Sequence, residues 1–277
     1  MPELPEVETV MRGLAKVLDG QVIRQAAVNR EGLRWAFPAG LAQKLTGARV
    51  TGFRRRAKYM LMRLDGGDSV LIHLGMSGRM IITPEGVNTP PPKHEHLVMV
   101  TASGQRVGFV DPRRFGAVDL MRTAEEDQHK LLAGLGPEPL DEAFDARVLG
   151  EALAGKKTPI KAALLDQRIV AGLGNIYVSE ALFRAEISPT RLAGAVSTAG
   201  VKRLAAAIKD VLNQAINHGG STLRDYVQAD GELGGFQDLF LVYDREGEPC
   251  PRCASKSAIT RIVQAGRSTF FCARCQK

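Results

Sequence analysis

The spacing of hydrophobic residues near the start of the chain predicts one amphipathic helix. From Pro5 onward, apolar residues recur every three or four positions as far as Leu18, and Gly20 follows them. This spacing places the apolar side chains on one face of a helix, and glycine is typical just beyond a helix end. Proline suits the first turn because its missing N–H would have no partner there.

A pattern typical of strands follows this helix. Short segments rich in Val, Ile, Leu and Met are separated by Gly-Gly, Ser-Gly and Pro runs as far as about residue 122. The predicted strands are residues 21–29, 48–64, 69–74, 79–83, 96–102, 106–110 and 117–121. This part of the chain is therefore predicted to be a helix plus a mostly antiparallel β-sandwich or barrel, in which the prolines at residues 90–92 mark a long loop.

The second half of the chain changes to helical patterning. Residues 134–143 are predicted to be an interdomain linker, and helices are predicted at residues 145–154, 158–165, 176–184 and 201–217. The last helix is the clearest, because its apolar residues form one face and Gly219-Gly220 end it. Residues 260–263 and 268–271 are predicted to form a β-hairpin near the end of the chain.

The composition is that of a globular protein with an excess of basic residues. The chain has 277 residues, which corresponds to about two domains at ~150 residues each. It has 37 basic against 30 acidic residues, and the net charge of +7 favours a polyanionic partner, nucleic acid first. No apolar run approaches the ~20 residues needed to span a membrane, and residues 1–8 lack the features of a secretory signal. A cytoplasmic protein that does not enter membranes is expected.

The four cysteines predict a structural zinc site. They occur only as Cys250-x2-Cys253 and Cys272-x2-Cys275, with 18 residues between the two pairs. Two such turns can each offer two thiolates to a tetrahedral zinc ion, and four protein thiolates leave no open position for water. Two disulfides are the alternative, and a reducing cytosol disfavours them. One Zn²⁺ with a structural role is therefore expected.

The first residues of the chain offer a candidate nucleophile. Pro2 follows Met1, so removal of the methionine would leave a secondary amine with an α-amino pKa near ~8. Uncharged amine is then available near neutrality and can attack a carbon centre, with Glu3 beside it as a proton donor. The alternative is that Pro2 and Pro5 only stiffen the chain end and start a helix. This stretch taken alone favours the alternative.

A glycine-rich turn between two predicted helices offers a candidate phosphate site. The sequence VAGLGN ends at Asn175, where free N–H groups at the start of a helix favour an anion. Lys156, Lys157 and Lys161 precede the turn. The alternative is a tight packing turn in which Asn175 is an ordinary N-cap residue. The spacing leaves both interpretations open.

A series of motifs along the chain resembles those of the bacterial formamidopyrimidine-DNA glycosylase family. In order, the motifs are MPELPEVET, KYMLM, HLGMSG, KHEH, DPRRFG, LLDQRIVAGLGNIYVSEALF, GGSTLRDYV and GRSTFFCARCQ. The likeness runs from end to end, and the joint order of the motifs is much more specific than any one of them. It implies an α+β multidomain fold, in which an N-terminal helix and antiparallel β-sandwich precede a helix–two-turn–helix domain with a zinc-finger β-hairpin.

The resemblance also implies a division into four segments. Residues 1–133 would be the catalytic helix and β-sandwich, 134–143 the linker, 144–236 the DNA-binding domain with a lesion-recognition loop, and 237–277 the four-cysteine zinc finger. The zinc finger departs from the family pattern in two places. The span between the cysteine pairs is about two residues longer, around ASKSAIT, and Ala273 stands where proline is common.

The resemblance implies the roles of five residues in the chemistry. Pro2, as the mature N-terminus, would attack C1′ of the damaged deoxynucleotide, Glu3 would protonate the opening sugar ring, and Glu6 would support the site. Lys58 matches the β-elimination lysine, although without the resemblance it is one more charge on a basic strand. Arg267 matches the zinc-finger arginine of δ-elimination, whose guanidinium suits a bidentate phosphate contact.

Further residues match the DNA contacts of the family. A glycosylase must extrude its base and fill the gap, and the gap-filling residues would be Met76, Arg113 and Phe115. Met76 and Phe115 are otherwise ordinary core residues. The DNA-binding residues would be His94, Arg113, Lys156 and Asn175. The lesion loop would span residues 219–236, with the polar side chains Ser221, Thr222 and Tyr226.

The function implied by the resemblance is that of a bifunctional DNA glycosylase and AP lyase of base-excision repair. Such an enzyme, acting as a monomer, removes 8-oxoguanine and formamidopyrimidines from damaged double-stranded DNA and cleaves the strand by β,δ-elimination. One alternative is the related endonuclease VIII branch, which prefers oxidised pyrimidines; the gap-filling residues and the long GGSTLRDYV loop argue against it. The other is a zinc-ribbon DNA-binding protein without catalysis, which leaves the pairing of Pro2 with Glu3 unexplained.

Overall fold

The computed structural model describes residues 1–30, 32–87, 89–223, 226–253 and 256–277. These residues form two compact units, each built from two stretches of the chain. The first unit combines Met1–Ala133 with His218–Gly235, and the second combines Gly134–Asn217 with Phe236–Lys277. The predicted division into four segments stays a prediction.

The first unit begins with α1 (Leu4–Leu18), the predicted amphipathic helix. Its apolar face is buried, and Val7, Val10 and Leu14 on that face belong to the hydrophobic core of the unit. The helix ends where Asp19 adopts extended geometry while its N–H still donates into the last turn. Burial of one apolar stripe explains why this helix is predictable from spacing alone.

Two four-stranded antiparallel sheets complete the first unit. Their strands are β1 (Ile23–Val28), β2 (Val50–Arg56), β3 (Tyr59–Leu64), β4 (Asp68–His73), β5 (Arg79–Thr83), β6 (Glu95–Thr101), β7 (Arg106–Val110) and β8 (Ala117–Arg122). One sheet has the order β1-β6-β7-β5 and the other the order β2-β3-β4-β8. Side chains from both sheets and from α1 belong to one buried cluster. The unit is therefore a helix plus a β-sandwich, as predicted.

The structure differs from the sequence pattern at residues 48–64. The pattern predicts one strand, whereas β2 and β3 form a hairpin in which Arg56 pairs with Tyr59. The two-residue turn is Ala57-Lys58, and Ala57 has φ +52°, a left-handed backbone that favours glycine or asparagine. Because neither residue type stands there, the sequence carries no turn signal. A short helix, α2 (Leu41–Leu45), is also unpredicted, since so few residues show no helical period.

The second unit is helical, with one two-stranded hairpin. Its elements are α3 (Ala146–Leu153), α4 (Ile160–Leu165), α5 (Asn175–Arg184), α6 (Thr198–Asn217), β9 (Thr260–Gln264) and β10 (Arg267–Phe271). Helix α5 is buried on nearly every side, which places it at the centre of the unit. Helix α6 begins three residues earlier than predicted, because the Ser197 hydroxyl accepts the Gly200 N–H at 3.2 Å.

A buried carboxylate fixes the segment that leads into the zinc finger. Glu180 of α5 accepts hydrogen bonds from the backbone N–H groups of Leu241, Val242 and Tyr243. Burial raises the pKa of Glu180, although these three donors and the charge of Arg184 oppose the rise. The central helix therefore holds the start of the zinc-finger segment by three hydrogen bonds. No helix within the described residues is long and apolar enough to cross a membrane.

Candidate active site and zinc site

The start of α1 fixes the two acidic residues of the candidate active site. Glu3 is the N-cap residue, and the Glu3 and Glu6 side chains each accept the other residue's backbone N–H in a capping box. The bond from the Glu3 N–H to Glu6 Oε2 is 2.8 Å long. Pro2, directly before this box, is buried, whereas Met1 is 49% exposed. Met1 holds the Pro2 nitrogen in a peptide bond, so that nitrogen becomes a nucleophile only when Met1 is removed.

The other carboxylate oxygen of Glu6 binds a part of the chain that is distant in sequence. Glu6 Oε1 accepts the N–H of Ser221 at 2.8 Å, and the Glu6 side chain is buried. Hydrogen bonds to a charged acceptor are roughly twice as strong as neutral ones. One buried carboxylate therefore ties the Pro2 end of α1 to the segment that the sequence predicts as the lesion loop.

The lesion-loop segment, residues 218–235 in the structure, is closed at its base. The Gly235 N–H donates to the His218 carbonyl at 2.8 Å. Further along, the Gly234 N–H donates to Thr222 Oγ1 at 2.8 Å. The two ends of the segment are therefore held side by side by main-chain and hydroxyl contacts. Residues 224 and 225, which belong to the predicted loop, lie outside the described residues.

Two residues anchor this segment in the core of the first unit. Tyr226 is buried, and its Oη donates to the Gly219 carbonyl at 3.0 Å. Burial, together with the charge of Glu6, raises the pKa of Tyr226. Ala229 is also buried, and its carbonyl accepts the Ile82 N–H at 2.9 Å. Tyr226, one of the predicted lesion-loop side chains, therefore packs inward.

Lys58 lies in the tight turn between β2 and β3 and is only 7% exposed. The charge of Lys58 contributes to the low pKa of His73, the last residue of β4. Burial, and then the charges of Lys58 and Arg34, lower the pKa of His73 to about 4. His73 is therefore neutral at pH 7, and its Nδ1 accepts the Gly75 N–H at 3.2 Å. The histidine adds no second positive charge beside Lys58. Sequence reasoning missed His73, although it opens the HLGMSG motif.

Met76 and Phe115 lie on two adjoining loops and are not core residues. Met76 is 38% exposed and Phe115 is 47% exposed. A Cβ atom on Gly75 would lie 2.4 Å from the Gly116 nitrogen. The main chains of the two loops are therefore in contact at Gly75, where a larger residue would clash. The Arg113 guanidinium lies 5.1 Å from the centroid of the Phe115 ring. The structure thus brings the three predicted gap-filling residues into one region of the first unit.

Asp111 holds these loops together, and sequence reasoning missed its role. Its Oδ1 accepts the Ser77 hydroxyl at 2.6 Å, and its Oδ2 accepts the Gly116 N–H at 2.7 Å. The Asp111 N–H donates to the carbonyl of His94 at 3.1 Å, and the Asp111 carbonyl lies 2.9 Å from His96 Nε2. His94 itself is half-buried and has φ +66°. One fully buried aspartate therefore joins the segments that carry four predicted DNA-contacting or gap-filling residues.

Replacing Asp111 by asparagine is expected to loosen these loops. Asp111 accepts one hydrogen bond at each carboxylate oxygen, and the asparagine NH2 group would replace one of these acceptors by a donor. A hydrogen bond to a charged group contributes about 1.5–3 kcal/mol. We expect Asp111→Asn to lower the free energy of unfolding by roughly 2–3 kcal/mol, measured by urea unfolding, and to slow base release. Asp119→Asn, at a partly exposed carboxylate on β8, is the control. Equal stability of the two variants would contradict the assignment.

In the second unit, Lys161 and Asn175 hold the hairpin strand that carries Arg267. Lys161 is fully buried, and its Nζ donates to the Ser268 carbonyl at 2.9 Å and to Thr269 Oγ1 at 2.6 Å. Asn175 Nδ2 donates to the same Ser268 carbonyl at 2.9 Å. Asn175 is the first residue of α5, and Gly174 is the N-cap, so the interpretation of Asn175 as an ordinary N-cap is wrong.

The remaining predicted residues of the second unit are more accessible. Arg267 is exposed at the start of β10, directly after the tight turn Ala265-Gly266. Both turn residues have left-handed backbone, with φ +48° and +72°. Lys156 is half-buried, and its carbonyl accepts the Gly194 N–H at 2.9 Å. Arg267 is thus exposed on a two-stranded hairpin, and Lys161 binds the two residues that follow Arg267 on β10.

Replacing Lys161 by methionine is expected to disturb strand cleavage more than base release. Methionine can fill the buried site, but Thr269 Oγ1 loses the Lys161 donor, and the Ser268 carbonyl keeps the Asn175 donor and loses the charged one. Because Arg267 is next to Ser268, we expect δ-elimination to slow by about tenfold, the loss of roughly one charge-assisted hydrogen bond. The measurement is the ratio of β- to δ-elimination products, with zinc content as the check on folding. Lys157→Met, at the exposed neighbour, is the control, and an equal effect would contradict the prediction.

The four cysteine sulfurs are arranged as a metal site. All four lie within 4.8 Å of one another. Cys250 Sγ is 3.8 Å from Cys275 Sγ, and Cys253 Sγ is 3.9 Å from Cys272 Sγ. A disulfide would require ~2.05 Å, so the cysteines are free thiols. Four sulfurs at ~2.3 Å from a tetrahedral zinc ion lie roughly 3.8 Å apart, which matches these distances.

The pKa values of these thiols also indicate that a cation is needed to hold all four as thiolates. Burial and the neighbouring thiols raise the pKa of Cys275 to about 12 and also raise the pKa of Cys253. Burial opposes ionisation of Cys272 as well, but the N–H groups of Cys275 and Arg274 lower its pKa to about 7. Four thiolates this close repel one another unless a dication lies between them. The donor set therefore fits one structural Zn²⁺.

Models of known families match three parts of the chain. Residues 1–118 match the formamidopyrimidine-DNA glycosylase N-terminal domain, and residues 135–227 match the H2TH domain of that glycosylase. Residues 247–277 match the zinc finger found in FPG and IleRS. These matches define the class of the protein, a DNA glycosylase with a helix–two-turn–helix domain and a zinc finger.

Individual relatives agree with this class. The formamidopyrimidine-DNA glycosylases of Gluconobacter oxydans and Acidiphilium cryptum are 61% and 62% identical to the chain, with all of each chain covered. The crystal structure of MutM (Fpg) from Thermus thermophilus is 42% identical with a TM-score of 0.87, covering 99% of this chain and 98% of that one. The Lactococcus lactis Fpg complex with abasic-site DNA is 36% identical with a TM-score of 0.89, covering 99% of each chain.

The chain belongs to the formamidopyrimidine-DNA glycosylase family. It is an enzyme of base-excision repair, a DNA glycosylase that also has AP lyase activity. The resemblance, the fold class and the single structural zinc ion predicted from the sequence are confirmed. The roles of individual site residues stay predictions.

Proposed function

We propose that this protein excises oxidised purines from damaged double-stranded DNA as a monomer, with Pro2 as the nucleophile once Met1 has been removed. Relatives support the substrate class, because Lactococcus lactis Fpg structures contain Fapy-dG, N7-benzyl-Fapy-dG or abasic-site DNA. One observation carries the proposal. Pro2 is buried directly before a capping box whose Glu6 also binds the lesion-loop segment. The attacking group and the segment proposed to enclose the base are joined by one carboxylate.

The secondary amine of Pro2 accounts for base release. Its lone pair attacks C1′ while the bond from C1′ to the base breaks. The Pro2 nitrogen then loses its proton, and the leaving base takes up one proton. The C1′–O4′ bond then breaks, and Glu3, next to Pro2 in the capping box, is proposed to protonate O4′. The product is an iminium whose nitrogen has no N–H to lose. It therefore stays cationic and acidifies the neighbouring C2′–H bond.

Lys58 and Arg267 are proposed to carry out strand cleavage. Loss of the C2′ proton expels the 3′ phosphate in β-elimination, and a later proton loss expels the 5′ phosphate in δ-elimination; water then releases the sugar remnant from Pro2. Lys58 is fixed for the first step by its buried two-residue turn, beside neutral His73. Arg267 is exposed and can hold a phosphate through two parallel N–H groups.

Gap filling is proposed for the two exposed loops of the first unit. Met76 and Phe115 offer a flexible thioether and a ring to the space that an extruded nucleotide leaves. Arg113, beside Phe115, can donate hydrogen bonds to the orphaned partner base. Contacts to the DNA backbone, which position the duplex without reading its sequence, are proposed for His94, Lys156 and Asn175.

Recognition of the extruded base is proposed for the main chain of the lesion-loop segment. The Ser221 N–H binds Glu6, the Thr222 hydroxyl accepts the Gly234 N–H, and Tyr226 is buried. These side chains and this N–H therefore shape the segment, and we propose that N–H groups of its glycine-rich main chain bind base oxygens when the base enters. We also propose a cytoplasmic location with association to the nucleoid, which rests on DNA binding alone.

Oxidised pyrimidines are a second candidate substrate class. A solved structure contains wild-type Lactococcus lactis Fpg with an oxidised pyrimidine in its DNA. The preference can be measured as single-turnover base release from matched duplexes that contain 8-oxoguanine, a formamidopyrimidine or thymine glycol. We expect both purine lesions to be released faster than thymine glycol. Faster release of thymine glycol would favour the second candidate, and no release from any duplex would contradict a glycosylase.

A further inference from the structure

A pocket of about 500 Å³ opens at the C-terminal end of α5. This helix runs from Asn175 to Arg184, so at ~1.5 Å per residue its two ends are about 14 Å apart. The first end contacts the hairpin that presents Arg267. At the other end the chain leaves the helix through Glu186, whose φ is +61°. The pocket therefore lies at the opposite end of α5 from Asn175.

The charge of this pocket is strongly one-sided. Glu186 is the one acidic side chain among the described residues of its wall, and it is paired with Arg252. Lys277, at the end of the chain, also lies in the wall, and its main-chain oxygen accepts the Arg191 Nε–H at 3.0 Å. The basic residues of the pocket are Arg191, Arg203, Arg252, Arg274 and Lys277. Like charges that share a concave site repel one another, and concave walls focus their field. An anionic occupant would relieve that repulsion.

Helix capping explains only part of the cluster. Arg203 Nε donates to the Ala185 carbonyl at 3.1 Å, and Arg252 Nη2 donates to the Arg184 carbonyl at 3.3 Å, so both satisfy carbonyls at the end of α5. Each guanidinium has five N–H donors, and most of them remain available. The Arg274 side chain has no hydrogen bond or ion pair within the described part of the chain. Capping therefore accounts for Arg203 and Arg252, and Arg191 binds the main-chain oxygen of Lys277. Within the described residues, Arg274 is left without a structural contact of its side chain.

The rest of the pocket wall decides which kind of anion fits. The apolar residues of the wall are Ile187, Val196 and Gly200, of which Val196 is the accessible one, and none of the described residues in the wall is aromatic. A nucleobase would have no ring on which to stack, which disfavours nucleotides and single-stranded nucleic acid. A duplex presents its phosphates on a convex surface and cannot enter a pocket of this size. An aliphatic side chain flanked by carboxylates can contact the apolar residues of the wall and pair with its arginines.

We propose that this pocket binds an acidic segment of a partner protein, with an aliphatic residue on Val196 and with Asp or Glu carboxylates on the arginines. Arginine forks match carboxylates in bidentate geometry, and arginine is among the residues that contribute most at protein interfaces. The pocket is at the opposite end of α5 from Asn175, so the partner segment and damaged DNA bind the enzyme together.

The test uses the zinc-loaded full-length protein and a fluorescent peptide of sequence GDDIDDL. We expect saturable binding by fluorescence anisotropy, and at least about tenfold weaker binding by the double variant Arg203→Gln/Arg274→Gln. That variant is expected to keep its zinc content and its rate of base release. The double variant Lys130→Gln/Arg147→Gln removes the same charge at exposed sites outside the pocket and is expected to bind the peptide as the unaltered protein does.

Any one of the following results would overturn the proposal. They are no saturable binding, an equal loss in both double variants, equal binding of the uncharged peptide GNNINNL, and displacement of GDDIDDL by damaged duplex. Tighter binding of inorganic triphosphate than of GDDIDDL would identify a phosphate site instead. If Arg203→Gln/Arg274→Gln loses zinc, the single variant Arg203→Gln replaces it, since this residue lies outside the zinc finger, and the same tenfold criterion applies.

Discussion

A form of the protein that keeps Met1 is expected to bind damaged duplex and release no base. In that form the Pro2 nitrogen belongs to an amide, whose lone pair is delocalised and cannot attack C1′. Loss of a catalytic nucleophile lowers the rate by several orders of magnitude. The effect is therefore expected to exceed ~10³-fold in single-turnover base release, compared with the same protein after Met1 removal.

The matched control for Met1 retention is Pro2→Gly after Met1 removal. Glycine restores a primary amine, which can form an imine but can then lose its N–H proton and its positive charge. We expect intermediate activity, above that of the Met1-retaining form and below that of the proline enzyme. Binding to a duplex with a stable abasic-site analogue is expected to stay within about twofold in all three forms. Equal base release with and without Met1 would contradict the role of Pro2.

Replacing Cys272 by alanine is expected to abolish zinc binding and strand cleavage. Cys250 and Cys272 are buried in a cluster with Phe183 of α5 and Phe270 of the hairpin, so the metal site is part of the core of the second unit. Structural zinc contributes on the order of 10 kcal/mol to the folding of a zinc finger. Without the metal, the hairpin loses the support that presents Arg267, although no metal chemistry is involved in the reaction.

The loss of zinc binding and strand cleavage in Cys272→Ala can be followed by zinc content, affinity for duplex DNA and elimination products. We expect less than one tenth of the zinc, and affinity for damaged duplex weaker by about 100-fold or more, the equivalent of at least two charge-assisted phosphate contacts. Val263→Thr on β9 is the control, because Val263 is exposed and threonine keeps the branched shape. Full strand cleavage by a zinc-free Cys272→Ala variant would show that the finger is dispensable.

The elements predicted best from the sequence are those whose signal is local. Helices α1 and α6 each bury one apolar stripe, so spacing alone locates them within three residues. The zinc site follows from the two CxxC turns. The hairpin turn at Ala57-Lys58 was missed because its left-handed backbone is imposed by pairing of β2 with β3 and not by a turn residue.

The candidate site shows the same division between local and tertiary causes. Motif resemblance supplies Pro2 and Arg267, but the residues that position them are recognisable only in three dimensions. Lys161 and Asp111 act on chain segments far away in sequence, such as Ser268 for Lys161. No single-sequence pattern distinguishes a buried lysine that binds a carbonyl from an exposed one. The longer span between the cysteine pairs includes residues 254 and 255, which lie outside the described residues.

Borohydride trapping followed by mass analysis tests directly whether Pro2 forms the covalent intermediate with DNA. Processed enzyme is mixed with an 8-oxoguanine duplex, and borohydride reduces any iminium to a stable amine. Trypsin then releases residues 2–12, which contain Pro2 but no lysine. We predict a covalent adduct that carries the deoxyribose remnant on Pro2 and is absent when Met1 is retained. No adduct, or an adduct on Lys58 or another lysine, would contradict the role of Pro2 as the nucleophile.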